Sequence, residues 1–324
     1  MKHILITGGA GFIGTNLCKK LLDEGCRVTV VDNLITSSGE NLTELSKNPN
    51  FKFIKHDITK PKWKMVNDKW KIDVIYHLAC PTGVPNLTKL AEEMLLTCSI
   101  GTQNVLQLAL KKKAKLVFTS SSEIYGNPEK FPQNENYTGN VNPIGIRSPY
   151  EEGKRFSESL ISMYVKKYGL DASIARVFNT YGPLMSRDDS RVIPRFLNQA
   201  SEGVPLTVEG KGKQTRTFCY VDDLVDGLLL LEKRGGKGEV YNIGSDKEIS
   251  IKNLAKEILK LTKSRPKDDQ PLAEKNIIKY IPRPSHDHNG RRPTLIKIKK
   301  LGWKQKTNLK EGLLKTVQFD LAPQ

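Results

Sequence analysis

The chain has 324 residues, of which 38% are hydrophobic, and it contains ten Phe, ten Tyr and three Trp. This composition supplies a packed interior and excludes an intrinsically disordered chain. The length exceeds what one core comfortably fills, so we expect two lobes. No apolar run approaches the roughly 20 residues of a membrane span, so we expect no membrane partner. The first apolar stretch runs directly into glycines, and we therefore expect no signal peptide.

The formal net charge is +17, and lysines outnumber arginines by 39 to 13. Such a charge is typical either of a nucleic-acid-binding surface or of a solvated, lysine-rich one. We favour the solvated surface and expect no nucleic-acid partner, because clusters such as residues 111–115 fall where a helix should end, a position that favours cations. The five cysteines are odd in number and have no CxxC spacing. This predicts reduced thiols in a cytoplasmic protein and no metal site.

In the first half of the chain, short apolar runs alternate with segments of helical periodicity. The predicted strands are residues 3–7, 27–31, 51–54, 73–78, 115–120 and 172–177. The clearest predicted helices are residues 12–24, 90–110 and 150–168. The strand runs are nearly continuous in hydrophobicity, as strands covered on both faces should be. The fold class predicted is therefore α/β, with a doubly wound parallel sheet.

After residue 177 the pattern changes to short elements rich in Gly, Pro, Arg and Asp. A helix at 221–233 and a strand at 239–243 indicate a return to the sheet. A further helix after residue 250, a Pro- and His-rich loop at 281–293 and a last helix near 309–319 follow. We predict a sheet domain of residues 1–178 plus about 217–245. A smaller, discontinuous lobe of about 179–216 plus 246–324 is predicted to bind the substrate.

A glycine-rich turn follows the first strand and opens the first helix. Gly8, Gly11 and Gly14 have a spacing close to that of the Rossmann fingerprint, in which the pyrophosphate of a dinucleotide lies on the N-terminus of the helix. Asp32 ends the next strand, where a carboxylate binds ribose hydroxyls. No arginine follows it closely, which favours NAD over NADP. Asp57 either accepts a hydrogen bond from the adenine or is a plain turn residue. The predicted cofactor contacts are Gly8, Gly11, Phe12, Ile13, Gly14, Asp32, Asn33, Asp57, Ile58, Leu78, Tyr150 and Lys154.

A candidate base lies in the third predicted helix. Tyr150 and Lys154 form a YxxxK pair, which a helix places on one face one turn apart. The ordinary pKa of tyrosine is about 10, and a neighbouring ammonium favours the phenolate. The run of serines before Glu123 ends a strand about 30 residues earlier, where a hydroxyl can share the proton of a substrate oxygen.

The chain contains, in this order, a glycine triplet, an acidic residue, a serine run and a YxxxK pair. This order resembles the extended short-chain dehydrogenase/reductase family across the whole chain. Several segments are similar to the UDP-glucuronate decarboxylases (UDP-xylose synthases) within it: SSEIYG at 121–126, NPIGIR at 142–147, YEEGKR at 150–155, RVFNTYGP at 176–183, QTRTF at 214–218 and GRRP at 290–293. The resemblance implies the catalytic residues Ser121, Ser122, Glu123, Tyr150 and Lys154. It implies the substrate contacts Pro85, Asn86, Asn179, Arg191, Arg216 and Arg291, although each arginine by itself could be an exposed surface cation.

The resemblance also implies a reaction on a nucleotide sugar. Tyr150 removes the C4 hydroxyl proton while NAD accepts the hydride. The 4-keto group then lies β to the C5 carboxylate, so that CO2 can leave, with Glu123 and Ser122 managing the proton at C5. Reduction at C4 restores the cofactor, and we expect NAD to be tightly retained. The expected product from UDP-glucuronate is UDP-xylose. Family members pair through helices matching 90–110 and 150–168, so we expect a homodimer.

Four positions depart from the family pattern: Leu87, Leu96, Cys98 and Thr294 stand where it has tyrosine, lysine, asparagine and aspartate. Other reactions therefore stay open. A 4,6-dehydratase typically has aspartate at the position of Ser122, relatives that are UDP-glucuronate 4-epimerases usually lack Glu123, and a 4-reductase would show net redox change. A non-catalytic NAD-sensing or RNA-binding protein on the same fold is a further alternative, against which the complete serine, tyrosine and lysine set argues.

Overall fold

The computed structural model describes residues 1–60, 70–186, 189–263, 278–284 and 290–320. Its strands are β1 (His3–Thr7), β2 (Arg27–Asp32), β3 (Phe51–Lys55), β4 (Val74–His77), β5 (Lys115–Ser121), β6 (Ala172–Val177), β7 (Thr180–Tyr181), β8 (Leu206–Glu209), β9 (Thr215–Thr217), β10 (Cys219–Tyr220), β11 (Val240–Ile243), β12 (Glu248–Ser250) and β13 (Ile278–Ile281). Its α-helices are α1 (Phe12–Asp23), α2 (Asn86–Lys89), α3 (Ala91–Leu96), α4 (Thr102–Lys112), α5 (Ser148–Tyr168), α6 (Val192–Ser201), α7 (Val221–Arg234), α8 (Ile251–Lys263), α9 (Ile296–Lys300) and α10 (Leu309–Asp320).

Seven of these strands form one parallel sheet in the order β11-β6-β5-β4-β1-β2-β3. The chain builds outward from β1 to β3 and then returns to the other side of β1 with β4. A sheet whose strand order reverses in this way has a crevice at the carboxyl ends of the two central strands. The predicted doubly wound parallel sheet is confirmed, and the six strands predicted in the first half lie within one residue of those observed at each end.

The continuous hydrophobicity of the strands has the expected cause. All five residues of β1 are buried. Ile4 and Ile6 belong to a core cluster that includes residues of α1 and α7. Leu5 points to the opposite face and joins a second cluster with residues of α4 and α5. Helices thus cover both faces of the sheet, which leaves its carboxyl edge as the open side.

The predicted helix at 90–110 is observed as one helical run over residues 91–112, but one of its turns is not α-helical. α3 ends at Leu96, a π-helical turn spans Thr97–Gly101, and α4 begins at Thr102. Within this wide turn, the Cys98 carbonyl accepts a hydrogen bond of 2.7 Å from the Ser157 hydroxyl of α5. A π turn adds one residue to a turn of the helix, and the spacing of hydrophobic residues does not reveal this extra residue.

A separate apolar cluster lies outside the sheet. Phe196 of α6, Val208 of β8, Leu254 and Ile258 of α8, and Leu313 of α10 are buried in it. The short strands of this part pair as β13 with β8 and β12 with β9. These pairings join segments from both parts of the smaller lobe that the sequence predicts.

The segment around α9 lies with the sheet. Leu295, Ile298 and Trp303 fall within the predicted second lobe but belong to the core cluster beside α1 and α7. The Trp303 indole donates a hydrogen bond of 2.9 Å to the Asp223 carbonyl of α7. The predicted loop at 281–293 is described only in part, since residues 285–289 lie outside the described residues. Across the described chain, no helix combines the length and the hydrophobicity that crossing a membrane requires.

Candidate active site

A cavity of about 770 Å³ runs along the carboxyl edge of the sheet and continues between the sheet and the separate apolar cluster around α6, α8 and α10. It is lined at one end by the turn after β1 and the end of β2, at its centre by the ends of β4, β5 and β6, and at the other end by α6 and β9. A cavity of this size at a topological switch point is the usual position of a ligand site in such folds.

The glycine-rich turn forms the narrow end of this cavity. Gly8 has a φ of +74°, and a Cβ there would lie 2.6 Å from the backbone nitrogen of Ala79. A Cβ on Gly14 would lie 2.4 Å from the Gly8 carbonyl oxygen. Only glycine lets the turn, β4 and α1 approach this closely, and the approach leaves the amides at the start of α1 facing the cavity. This is the cradle that a dinucleotide pyrophosphate requires.

Two carboxylates lie beyond the turn. Asp32 accepts hydrogen bonds from the backbone amides of Ala10, at 3.1 Å, and Leu34, at 2.9 Å. Burial raises the pKa of Asp32, and these backbone hydrogen bonds partly offset the effect. Asp57 accepts from the amide and the hydroxyl of Thr59, both at 2.8 Å. Burial would raise the pKa of Asp57, but the hydrogen bonds outweigh it and hold the pKa below its ordinary value. Asp57 thus forms a local turn and still borders the cavity.

The ten predicted cofactor contacts outside the catalytic pair all line this end of the cavity: Gly8, Gly11, Phe12, Ile13, Gly14, Asp32, Asn33, Asp57, Ile58 and Leu78. The shape of the turn and the position of Asp32 fit NAD. The residues that would hold its pyrophosphate are those of the turn, and Asp32 would bind its adenosine ribose.

Tyr150 and Lys154 lie at the centre of the cavity on the first turns of α5. The Lys154 ammonium donates a hydrogen bond of 2.8 Å to the Thr119 carbonyl and lies 6.0 Å from the centre of the Tyr150 ring. Burial raises the pKa of Tyr150, and Lys154 and the Ser121 hydroxyl counteract this only in part. The sequence predicts the direction of the Lys154 effect, but the effect of burial on the pKa of Tyr150 is larger. The phenol therefore needs further positive charge to act as a base at neutral pH.

A buried histidine lies behind this pair, and no sequence pattern singled it out. His77 shares hydrogen bonds with the hydroxyls of Thr7, at 2.7 Å, and Thr102, at 3.1 Å. Burial, and secondarily the Lys154 charge, lowers its pKa to about 3. His77 is therefore neutral at physiological pH and joins β1, β4 and α4 rather than exchanging protons with the cavity.

Glu123 marks the wall of the cavity after β5. The Ser121 hydroxyl accepts a hydrogen bond of 3.1 Å from the Glu123 amide and thereby caps the 3-10 turn Ser122–Tyr125. One oxygen of the Glu123 carboxylate pairs with Arg147 and the other with Arg291. Arg147 also pairs with Glu151 at 3.2 Å. Two carboxylates and two guanidinium groups are thus joined in a chain at the cavity wall.

Arg147 and Glu151 are the residues of this network that the sequence prediction missed, and Arg147 is the one that contacts Glu123. It lies three residues before Tyr150, within a segment that carried the family resemblance, and that is the only signal that could have found it. Burial alone would lower its pKa, but the pairs with Glu123 and Glu151 outweigh burial and raise it. Arg291 is almost fully buried and donates a second hydrogen bond, of 2.8 Å, to the Gly126 carbonyl.

The far end of the cavity contains three of the predicted substrate contacts. Asn179, Arg191 and Arg216 all line it. Arg191 is held by the Asp189 carboxylate, with its Nε 2.9 Å from Oδ1, and the Asn179 amide donates to the Thr217 carbonyl at 3.4 Å.

Two further cavity residues escaped the sequence prediction. Ser190 and Arg195 line the same end. Within the residues that the structure describes, no hydrogen-bond partner is found for the Ser190 hydroxyl, the Arg195 Nε or the Arg291 Nε. A buried donor without a protein partner requires one from outside the chain, and water, an ion or a polar ligand can supply it.

Pro85 and Asn86, also predicted to bind the substrate, do not line the cavity. The Asn86 amide donates a hydrogen bond of 2.7 Å to the Thr82 carbonyl, and the neighbouring residues Val84 and Leu87 face the cavity instead. The short helix α2 begins at Asn86 and directs Pro85 and Asn86 away from the cavity. The sequence pattern did not reveal this orientation.

The departures from the family pattern separate into two groups. Leu87 and Leu96 line the cavity. Cys98 is only 2% exposed and lies against Cys80 and Gly153 behind the cavity wall. The Thr294 amide donates to the Gln133 carbonyl at 2.7 Å, outside the cavity. Two of the four departures therefore change the surface that meets a ligand.

With this geometry in place, the comparisons with known proteins become informative. Residues 4–244 match the NAD dependent epimerase/dehydratase family. The chain belongs to this family. Curated relatives include UDP-glucuronic acid decarboxylase 1 of Danio rerio, 43% identical over 98% of this chain and 72% of the relative. UDP-glucuronic acid decarboxylase 3 of Arabidopsis thaliana is 44% identical over 96% of this chain and 86% of the relative.

Solved structures agree on the fold. UDP-glucuronic acid 4-epimerase of Bacillus cereus, in complex with UDP-glucuronic acid and NAD, has a TM-score of 0.84 and 28% identity over 98% of both chains. dTDP-glucose 4,6-dehydratase of Bacillus anthracis, in complex with NAD, has a TM-score of 0.85 and 27% identity over 99% of this chain and 96% of that one. The predicted family and the NAD dependence are confirmed.

Proposed function

We propose that this protein decarboxylates UDP-glucuronate to UDP-xylose through a 4-keto intermediate, with NAD used and regenerated in each turnover. The observation that carries the proposal is the Glu123 carboxylate at the cavity wall, paired on its two oxygens with Arg147 and Arg291. An unpaired carboxylate there would repel the carboxylate of the substrate. The two arginines offset that repulsion and keep Glu123 beside the centre of the cavity.

The first step is oxidation at C4 of the sugar. Bound NAD supplies the hydride acceptor, and later the donor, at this carbon. The Tyr150 phenolate takes the proton of the C4 hydroxyl, and the Lys154 ammonium, fixed by the Thr119 carbonyl, favours this ionised form of the phenol. Ser121 and Ser122, at the end of β5, border the same space and offer hydroxyls to the C4 oxygen.

The second step breaks the bond between C5 and the carboxylate. Its electron pair is delocalised into the 4-keto group, and CO2 leaves. C5 then takes one proton, for which Glu123 and Ser122 are the candidate carriers. In the third step, C4 is reduced and Tyr150 returns its proton to the oxygen. Overall, the reaction consumes one proton and releases one CO2, with no net redox change.

The nucleotide diphosphate would lie at the far end of the cavity. Arg191 and Arg216 offer positive charge there, and the Ser190 hydroxyl and the Arg195 Nε, without protein partners, offer further donors. In this proposal the two phosphates lie on the separate apolar cluster around α6, α8 and α10, and the sugar lies between Glu123 and Tyr150. The cluster would then be part of the substrate lobe that the sequence predicts.

One experiment tests the reaction. The protein is incubated with UDP-glucuronate, and both CO2 and the sugar nucleotide are measured. Equal amounts of CO2 and UDP-xylose are expected. Glu123→Gln should abolish CO2 release, whereas the matched variant Glu129→Gln, whose carboxylate accepts a hydrogen bond from Asn140 on the surface, should keep it. UDP-galacturonate without CO2 would identify a 4-epimerase, as in the Bacillus cereus neighbour, and no turnover would refute both.

We also propose a homodimer that pairs through α3, α5 and the π turn between α3 and α4. The support is an exposed apolar face: Phe156 is 52% exposed, Leu95 and Ile100 are each 44% exposed, and Met163 is 38% exposed. Light scattering should give twice the mass of the chain, and Phe156→Glu should halve that value. Val204→Glu, at an exposed apolar residue in the loop after α6, is the control. A monomeric wild-type protein would contradict the proposal.

A cytoplasmic location is proposed on chemical grounds. All five cysteines are free thiols in the structure, and thiols persist in a reducing compartment. Fractionation of cells that express the tagged protein tests the location, and recovery outside the cytoplasm would contradict it.

A further inference from the structure

Two of the five cysteines lie against each other beside the catalytic pair. The Cys80 and Cys98 sulfur atoms are 3.6 Å apart. Cys80 lies on the loop that follows β4 and lines the cavity. Cys98 lies on the π turn between α3 and α4 and is buried behind it. One thiol is therefore open to small molecules in the cavity, and the other is reached only through the first.

The protein holds this pair in place from the Cys98 side. The Ser157 hydroxyl donates to the Cys98 carbonyl at 2.7 Å, which fixes the π turn against α5. A Cβ on Gly153 would lie 3.2 Å from both the Cβ and the sulfur of Cys98. The glycine between Tyr150 and Lys154 is thus what leaves room for this thiol.

The electrostatic surroundings favour a reactive thiol. A hydrogen bond from Cys80 and the nearby Lys154 charge lower the pKa of Cys98 to about 7, although burial acts against them. The pKa of Cys80 is raised, first by that same hydrogen bond and then by burial. Near neutral pH the pair is therefore partly ionised, and because either sulfur can be the donor in their hydrogen bond, proton transfer can leave the thiolate on Cys80, which faces the cavity. The thiolate is the form that reacts with oxidants and disulfides.

We propose that Cys80 and Cys98 are a reversible redox modification site, oxidised by a peroxide to a disulfide that lowers turnover. The thiolate attacks one peroxide oxygen and breaks the oxygen–oxygen bond, giving a sulfenic acid and, after protonation, water. The second thiol then displaces hydroxide from the sulfenic sulfur, which forms the sulfur–sulfur bond and a second water. In sum, two thiols are oxidised by one peroxide, which is reduced to two waters.

The expected loss of turnover follows from the position of Cys80. A disulfide bond of about 2.05 Å requires the two sulfurs to approach. Cys98 is held by α5, so the loop of Cys80 must move. That loop includes Ala79, whose backbone packs against Gly8 in the cofactor turn. Oxidation thus displaces the wall shared by the cofactor turn and the catalytic pair.

The test uses the purified protein with its retained cofactor and hydrogen peroxide at one equivalent per chain. Peptide mass spectrometry without reductant should find Cys80 joined to Cys98. Turnover should fall at least about tenfold, in line with the cost of misplacing catalytic groups, and dithiothreitol should restore it. Cys98→Ser and Cys98→Ala should form no such link, and Cys219→Ser, at a buried cysteine with no thiol contact among the described residues, should form it as the wild type does.

Three outcomes would overturn the proposal: both thiols remaining reduced, Cys80 oxidising singly to a sulfinic acid, or the link forming with turnover unchanged. The mass measurement does not depend on which nucleotide sugar is the substrate. It therefore distinguishes failure of this proposal from failure of the proposed decarboxylation.

Discussion

The two ends of the cavity are built in different ways. At the cofactor end, the surface is made by backbone: the turn from Gly8 to Gly14, the start of α1 and the end of β2. At the substrate end, it is made by long side chains from segments far apart in the chain, such as Arg147, Arg216 and Arg291. The shape of the cofactor end depends on positions that have no side chain. The shape of the substrate end depends on long side chains that their partners hold in place.

This difference determines how each end should respond to mutation. A substitution in the backbone-built end changes the path of the chain and should affect folding and cofactor retention together. A substitution in the end built from side chains removes one contact and should leave the fold intact. Tyr150 and Lys154 lie where the two ends meet, on a helix that belongs to the sheet domain.

The largest effect is expected at this meeting point. Tyr150→Phe should lower kcat by about 10²–10⁴-fold, the usual cost of losing a general base, with little change in substrate affinity. Tyr168→Phe, at the exposed end of the same helix, is the control and should be fully active. Because burial raises the pKa of Tyr150, the wild-type rate should increase with pH through the neutral range as the phenol loses its proton. A Phe variant that keeps both rate and pH dependence would remove Tyr150 from the mechanism.

The glycine turn allows folding and binding to be separated. Gly14→Ala places a Cβ 2.4 Å from the Gly8 carbonyl, an overpacking that should cost about 1–3 kcal/mol of stability as well as the cofactor. Gly11→Ala meets the nearest described atom at an ordinary 3.5 Å and points into the cavity. It should melt like the wild type and yet be purified with less NAD. Equal melting temperatures for the two variants would contradict the expectation that Gly14→Ala destabilises the fold and Gly11→Ala does not.

At the substrate end, Arg216→Ala should raise KM by about 10–100-fold, since a hydrogen bond to a charged group contributes roughly 1.5–3 kcal/mol. The fold and the retained NAD should be unchanged, because the side chain borders the cavity. Arg234→Ala removes an exposed arginine that donates to the Leu301 carbonyl and serves as the control. Steady-state kinetics with the sugar nucleotide distinguishes the two. A fall in kcat with KM unchanged would place Arg216 elsewhere in the mechanism.

The smallest effect is expected for Arg147→Lys. Lysine keeps the positive charge, but its ammonium group cannot contact Glu123 and Glu151 together as the planar guanidinium of Arg147 does. Glu123 should then be less well placed, and kcat should fall by about tenfold, less than the roughly 100-fold that a 1 Å misplacement can cost. Arg147→Met, which removes the charge, should lose more. If the two variants have equal rates, the charge of Arg147 does not contribute to positioning Glu123.

The residues that sequence patterns singled out for the cofactor, other than Tyr150 and Lys154, lie together at one end of the cavity. Gly8, Gly14 and Asp32 act through local backbone geometry, which a short contiguous motif specifies. The strands were equally predictable, because burial on both faces requires continuous apolar runs. The substrate end was predicted through family resemblance, since an isolated arginine looks the same in a site and on a surface.

What only the tertiary structure decided concerns residues whose role depends on a distant partner. The π turn that interrupts residues 90–110 is fixed by Ser157 from α5, and it turns Cys98 inward towards Cys80. α2 turns Asn86 away from the cavity, and Arg147 gains its role only through Glu123 and Arg291. The sequence by itself therefore determined the sheet and the cofactor turn. The spacing of apolar residues sets the strands, and the glycines set the turn, each through the local path of the chain. The tertiary structure decided the charge network and the thiol pair, because contacts between residues far apart in the chain exist only once the fold has closed.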